Sequence, residues 1–73
     1  MDNQELLEIF GHNLKIERAK NKLSQDDLAG KTGFSKPYIS NVESAKHNIS
    51  LVNAYKFSVS LNKSLDEMLK RHT

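Results

Sequence analysis

The chain has 73 residues, with 11 Lys and Arg against 9 Asp and Glu, a net charge of +2 with neutral histidines. That length points to one domain over residues 1–73, and the absence of cysteine excludes disulfides, thiolate zinc sites and cysteine nucleophiles. No apolar run approaches the ~18 residues of a membrane span, and the polar stretch Met1–Glu8 is no secretory leader, so a cytoplasmic protein without membrane association is expected.

A first helix is expected from about Asn3 to Asn21, where Leu6, Phe10 and Leu14 recur at four-residue spacing with Leu7 beside them. Ser24 is a good N-cap for a second helix, and Asp26 and Asp27 in its first turn suit the positive end of the dipole. That helix runs to about Thr32 and stops at Gly33, which can take the left-handed conformation. Ser35 caps a third helix with Pro37 in its first turn, where a missing N–H is harmless. Ser50 caps a fourth, reaching about Leu61, and Ser64 with Glu67 forms a capping box for a fifth. No stretch alternates apolar and polar residues as a strand does. Five serine- or asparagine-capped helices joined by short loops predict a compact all-α bundle.

Residues Gln25 to Glu43, QDDLAGKTGFSKPYISNVE, are the most informative segment. Two helices crossing steeply over a tight turn need a small residue where their backbones approach, which Ala29 supplies. The turn needs one residue at positive φ, which Gly33 supplies. The second helix must be pinned by its inner face, which Ile39 and Val42 supply. These features predict a central helix-turn-helix over about residues 25–44.

From about Phe10 to Leu69 the sequence resembles the lambdoid repressor/Cro-type, or XRE-type, helix-turn-helix regulators of bacteria and their phages. Leu23-Ser24-Gln25, Leu28-Ala29, Gly33, Tyr38-Ile39-Ser40 and Glu43 carry the resemblance in LSQDDLAGKTGFSKPYISNVE, followed by SLDEML. It implies a five-helix lambda-repressor-like DNA-binding domain. It also implies that Gln25 contacts the DNA backbone and that Arg18 pairs with Glu43 across the first and third helices as a structural ion pair. The chain departs from the family at Ala45, where glycine is common, at Ile49, where proline is common, and at Lys63, where an apolar residue is common.

Helical geometry orients the third helix. With Ile39 and Val42 inward, Pro37, Asn41 and Ser44 point outward, flanked by Ser40 and Tyr38, with Lys36 at the helix start. In helix-turn-helix proteins that end of the second motif helix reads base edges in the major groove. Lys36, Pro37, Ser40, Asn41 and Ser44 are therefore the expected base-facing set. Asn41 can pair bidentately with adenine, and Lys36 can donate to guanine. Gln25, Tyr38, Lys46, His47 and Asn48 are the expected backbone contacts, since Gln25 opens a helix and the last three follow the recognition helix in a loop. His12, His47 and His72 lie too far apart for metal spacing, so no metal, cofactor or small-molecule ligand is expected.

The fourth helix carries two apolar stripes. Leu51, Ala54, Phe57, Ser58 and Leu61 form the expected core face, and Val52, Tyr55 and Val59 form a second one. The second stripe predicts a homodimer interface, extended by Met68 and Leu69; the competing reading is that the first helix covers it through Leu6, Leu7 and Ile9. The expected function is a sequence-specific double-stranded DNA-binding transcriptional regulator, acting as a small dimeric operator-binding protein. With four residues after Leu69, no effector domain is expected. A restriction–modification controller, a phage Cro-like repressor and an antitoxin all suit that description. The alternative is a protein-interaction or antitoxin-type module on the same fold, which the near-neutral stretch Ser24–Ser50 allows. Nothing supports an enzyme: no nucleophile–base pair and no glycine-rich phosphate loop is present.

Overall fold

The structure, a computed structural model, describes residues 2–71, and His72 lies outside them. Five helices follow one another: α1 (Asn3–Lys20), α2 (Gln25–Thr32), α3 (Lys36–Glu43), α4 (Leu51–Ser60) and α5 (Leu65–Met68). There is no strand among the described residues. No helix of the structure is long and apolar enough to cross a membrane.

Each helix starts on a side-chain cap. The hydroxyls of Ser24, Ser35, Ser50 and Ser64 accept from the backbone N–H three residues on. For α1 the cap is an aspartate, Asp2, whose carboxylate accepts from Glu5 N at 2.7 Å. Asp27 and Glu67 reach back to the N–H groups of Ser24 and Ser64, closing two capping boxes. Those bonds favour the ionised carboxylates and hold both below their ordinary pKa.

The helix ends are less legible in the sequence. Gly33 ends α2 at φ 80°, with its N–H bonded to Ala29 O at 2.9 Å. The other left-handed positions are held by residues with side chains: Lys22 (φ 58°), Ala45 (φ 60°) and Asn62 (φ 56°). Each closes a helix in the same way. Leu23 N reaches Arg18 O, Lys46 N reaches Asn41 O, and Lys63 N reaches Ser58 O, at 2.9–3.0 Å. Ala45 thus occupies a left-handed position, which accords with the glycine that the family resemblance implies there.

One core lies among the helices. Phe10 and Leu14 of α1, Leu28 of α2, Ile39 and Val42 of α3, and Ala54, Phe57 and Leu61 around α4 are buried together with Met68. Phe34, in the turn between α2 and α3, packs its ring 4.9 Å from Phe57 and 5.0 Å from Tyr38. Leu51, expected on the core face, is not in the core, and neither is Leu6 of the first helix's apolar stripe. Leu6 is 40% exposed and Leu51 75% exposed. Both sit in first turns that overhang the bundle's end, where they line an apolar groove with Leu7, Ile49, Leu65 and Leu69.

Gly11 is buried where α1 crosses α3. A Cβ built there would stand 2.4 Å from the Val42 carbonyl oxygen and 2.8 Å from that of Glu43. A bare backbone at this position lets α1 touch the last turn of α3. Two residues further along α1, Asn13 donates from Nδ2 to the Met68 and Lys70 carbonyls, each at 2.7 Å, and ties the C-terminal segment down. Lys63 lies with its ammonium 3.8 Å from Glu17 and 3.7 Å from Glu67, so the position before the last helix, where the resemblance implies an apolar residue, holds an ion pair to α1.

Candidate nucleic-acid interface

Helix α3 buries Ile39 and Val42 and leaves its opposite face open. Lys36, Pro37, Ser40, Asn41 and Ser44 are all exposed on that face. Pro37 fits there because the first turn makes no use of its N–H, and the Ser35 hydroxyl caps Tyr38 N at 3.2 Å. The Ser44 hydroxyl donates back to Ser40 O at 2.9 Å, with Asn41 O at 3.3 Å.

The flanks of α3 are fixed. On one side Glu43 accepts from Arg18 Nε at 2.7 Å and from Arg18 Nη2 at 3.2 Å. Arg18 Nη1 also donates to Leu23 O at 2.8 Å, so one guanidinium fastens α3 and the α1–α2 loop to α1. Glu43 raises the Arg18 pKa above its ordinary value through the hydrogen bond between them, against an opposing desolvation. Gln25 joins this group, donating from Nε2 to Glu43 Oε1 at 3.0 Å. Its side-chain carbonyl is not used by that bond. Lys15, Gln25, Ser40 and Ser44 surround a shallow depression of about 240 Å³ floored by the ion pair.

On the other side stands Tyr38, which is half-buried. Its ring stacks over Phe57 at 6.3 Å, and His47 meets it edge-on at 4.8 Å. The phenol oxygen accepts from Asn53 Nδ2 at 3.0 Å, which leaves the hydroxyl proton available to an outside acceptor. Tyr38 therefore has a packing role that its position on α3 does not announce. Lys46, His47 and Asn48 follow as an exposed run beyond the end of α3. Lys36 lies across the motif's turn from α2, with its ammonium 3.8 Å from Asp26 Oδ2.

Helix α4 carries an exposed apolar stripe of its own. Val52, Tyr55 and Val59 are 58–65% exposed, and Leu51, next to them round the helix, extends the face. The first helix does not cover it: Ile9 turns into the bundle, buried at 8% exposure, and Leu6 faces the end groove. Met68, expected beside this face, is fully buried, whereas Leu69 is 37% exposed at the groove.

Spacing alone did not disclose Gly11, Phe34, Asn53 or the link from Asp26 to Lys36. Gly11 sits inside a regular helical pattern, and the others depend on how separate helices meet.

Two short helices at a glycine turn, the second anchored by its inner face and open on its outer one, define the DNA-reading unit of helix-turn-helix regulators. The chain belongs to the helix-turn-helix family HTH_3, whose model matches residues 14–68. It is similar to the control protein C.MunI of a Mycoplasma species, 38% identical over 60 residues that span 81% of each chain. Among solved structures it is similar to the hypothetical transcription factor NHTF from Neisseria, at TM-score 0.86 and 30% identity, covering 96% of this chain and 80% of that one. It is also similar to the restriction-modification controller protein C.AhdI from Aeromonas hydrophila, at TM-score 0.80 and 35% identity, covering 85% and 94%. The chain is thus a DNA-binding transcriptional regulator of this family and not an enzyme.

Proposed function

We propose that the protein is a homodimeric controller of the restriction–modification type, binding a two-fold operator with one α3 in the major groove of each half-site. The observation that carries this reading is a division of labour between two exposed faces. The α3 face is polar, with amide, hydroxyl and ammonium groups, whereas the α4 face is apolar. Polar groups of that kind have base edges to bond in the groove. The apolar face has no such use on DNA, and a second copy of the chain covers it.

In this reading Lys36, Pro37, Ser40, Asn41 and Ser44 approach base edges. Gln25, Tyr38, Lys46, His47 and Asn48 hold the backbone. Asp27 N is already taken by Ser24 Oγ, so the N–H groups ahead of it at the start of α2 can receive a phosphate oxygen. Val52, Tyr55 and Val59 form the dimer contact. Arg18 and Glu43 keep α3 at a fixed height above the core, and only thereby affect DNA. The kinship with controller proteins supports a regulator of that type.

Selection from random duplex DNA with the purified protein tests this. The expected result is a palindromic consensus whose half-site centres lie about 34 Å apart, one turn of DNA. An enriched consensus without two-fold symmetry would remove the dimeric reading, and no enrichment would remove sequence-specific binding.

A further inference from the structure

We propose that Asp26 is a positioning residue for sequence discrimination: its carboxylate holds the Lys36 ammonium at the base-reading end of α3 and away from DNA phosphates. This inference rests on the reading of α3 as the groove helix.

Lys36 is the only cation on α3 and stands at its first position. Asp26 lies in the first turn of α2, and the two charges face each other across the motif's turn at 3.8 Å. The α2 dipole favours an acid at residue 26 as it does at residue 27, but the cap itself does not need it. The α2 cap is completed by Ser24 and Asp27, and the side chain of Asp26 is 74% exposed. An exposed pair of this kind adds little to stability. An acid beside a helix start that approaches phosphates is unfavourable for binding unless it does something else.

The geometry points to what it does. An ammonium has three donors. At 3.8 Å the pair is a charge contact, and even with one donor turned to Asp26 two remain for the O6 and N7 acceptors of a guanine, so a base contact can form with the ion pair intact. A phosphate contact instead draws the ammonium away and leaves the carboxylate unpaired beside the DNA backbone. The pair therefore penalises the mode of binding that Lys36 would adopt on unrelated sequence. It leaves the mode adopted on the preferred site nearly untouched.

The test compares the wild type with Asp26→Asn, Asp26→Glu, Lys36→Ala and the Asp26→Asn/Lys36→Ala double variant. Affinity is measured for the selected duplex and for a random duplex of equal length over a range of salt. Asp26→Asn should bind the random duplex about two- to fivefold more tightly, the range open to one exposed ion pair. Its salt slope on that duplex should steepen by about 0.9 per subunit, one added phosphate. Binding to the preferred duplex should change by less than about twofold. Asp26→Glu should behave as the wild type, and in the Lys36→Ala background the effect of Asp26→Asn should vanish. Equal gains on both duplexes, or a gain that persists without Lys36, would show bulk charge at work and overturn the proposal; so would no change at all. Asn41→Ala, measured alongside, separates the two levels. If it weakens only the preferred duplex while Asp26→Asn acts equally on both, the Asp26 role fails and the groove reading stands. If it weakens neither, the groove reading fails and this inference falls with it.

Discussion

Two glycines inside helices should respond in opposite senses to the same substitution. Gly11 lies within α1 and Gly30 within α2. In a helix interior, alanine is favoured over glycine by about 1 kcal/mol. At Gly30 a built Cβ meets nothing within 4 Å, so Gly30→Ala should gain most of that amount. For a domain of this size ~1 kcal/mol corresponds to a rise in Tm of ~4–8 °C. At Gly11 the Cβ falls 2.4 Å from Val42 O, and ordinary contact begins at 3.4 Å, so 3.4 − 2.4 = 1.0 Å of separation is needed. Both oxygens met there belong to helical backbone, which cannot turn aside as a side chain can. Overpacking of this kind costs ~1–3 kcal/mol, and backbone-on-backbone overlap puts Gly11→Ala at the upper end. After the propensity gain, a net loss of about 2 kcal/mol and a Tm lower by ~8–16 °C is expected. The displaced segment is the last turn of α3 and carries Glu43, so DNA binding at a temperature where the variant is folded should weaken as well. Thermal melts by circular dichroism on both variants, with a binding isotherm for Gly11→Ala, provide the check. If Gly11→Ala melts at or above the wild type, the close approach of α1 and α3 is not as described and the argument fails.

Val59→Asp places a carboxylate on the exposed α4 face and should give a folded monomer with much weaker operator binding; sedimentation as a dimer would move the interface elsewhere. Lys22 is exposed at φ 58°, so Lys22→Gly should relieve ~1–2 kcal/mol of left-handed strain against ~0.4–1 kcal/mol of added unfolded-state freedom. A rise in Tm of a few degrees is expected, and a fall would contradict the cap geometry. The depressed pKa values of Asp27 and Glu67 mean that their contribution to stability is complete above the unfolded carboxylate pKa of about 4. It should be lost as pH falls through the lower folded values. Denaturant unfolding from pH 6 to pH 3 should therefore show an acid loss that is shallower in Asp27→Asn/Glu67→Gln; an unchanged slope would refute the capping roles.

Most of the fold was legible because its signals are local. Serine caps, one turn glycine and the inward pair Ile39 and Val42 each act within a few residues, and the five helices fall where those signals put them. Helix ends without glycine were less legible: Lys22 carries no local sign of positive φ, Asn62 only the general tolerance of Asn for it, and Ala45 stood out only as a departure from the family's glycine. Periodicity also misassigned Leu51, since spacing reports which side of a helix a residue occupies and not whether another helix extends far enough to cover it. The candidate site divides in the same manner. The outward residues of α3 follow from its inward ones. The structural duty of Tyr38 with Asn53 and Phe57, and the grip of Glu43 on Gln25, require the tertiary arrangement.

The central claim is that the exposed face of α3 reads base sequence while the loop after it holds phosphate. Binding of Asn41→Ala and Lys46→Ala to the selected and random duplexes at two salt concentrations tests it most directly. Both residues are exposed, so neither change should lower thermal stability. Asn41→Ala should lose ~1–3 kcal/mol on the preferred site and little on random DNA, with preference relaxed at one position per half-site. Lys46→Ala should weaken both duplexes alike and reduce the salt slope by about one per subunit. Normal binding of Asn41→Ala to the preferred site would contradict the orientation assigned to α3, and with it the roles of Lys36 and Ser44.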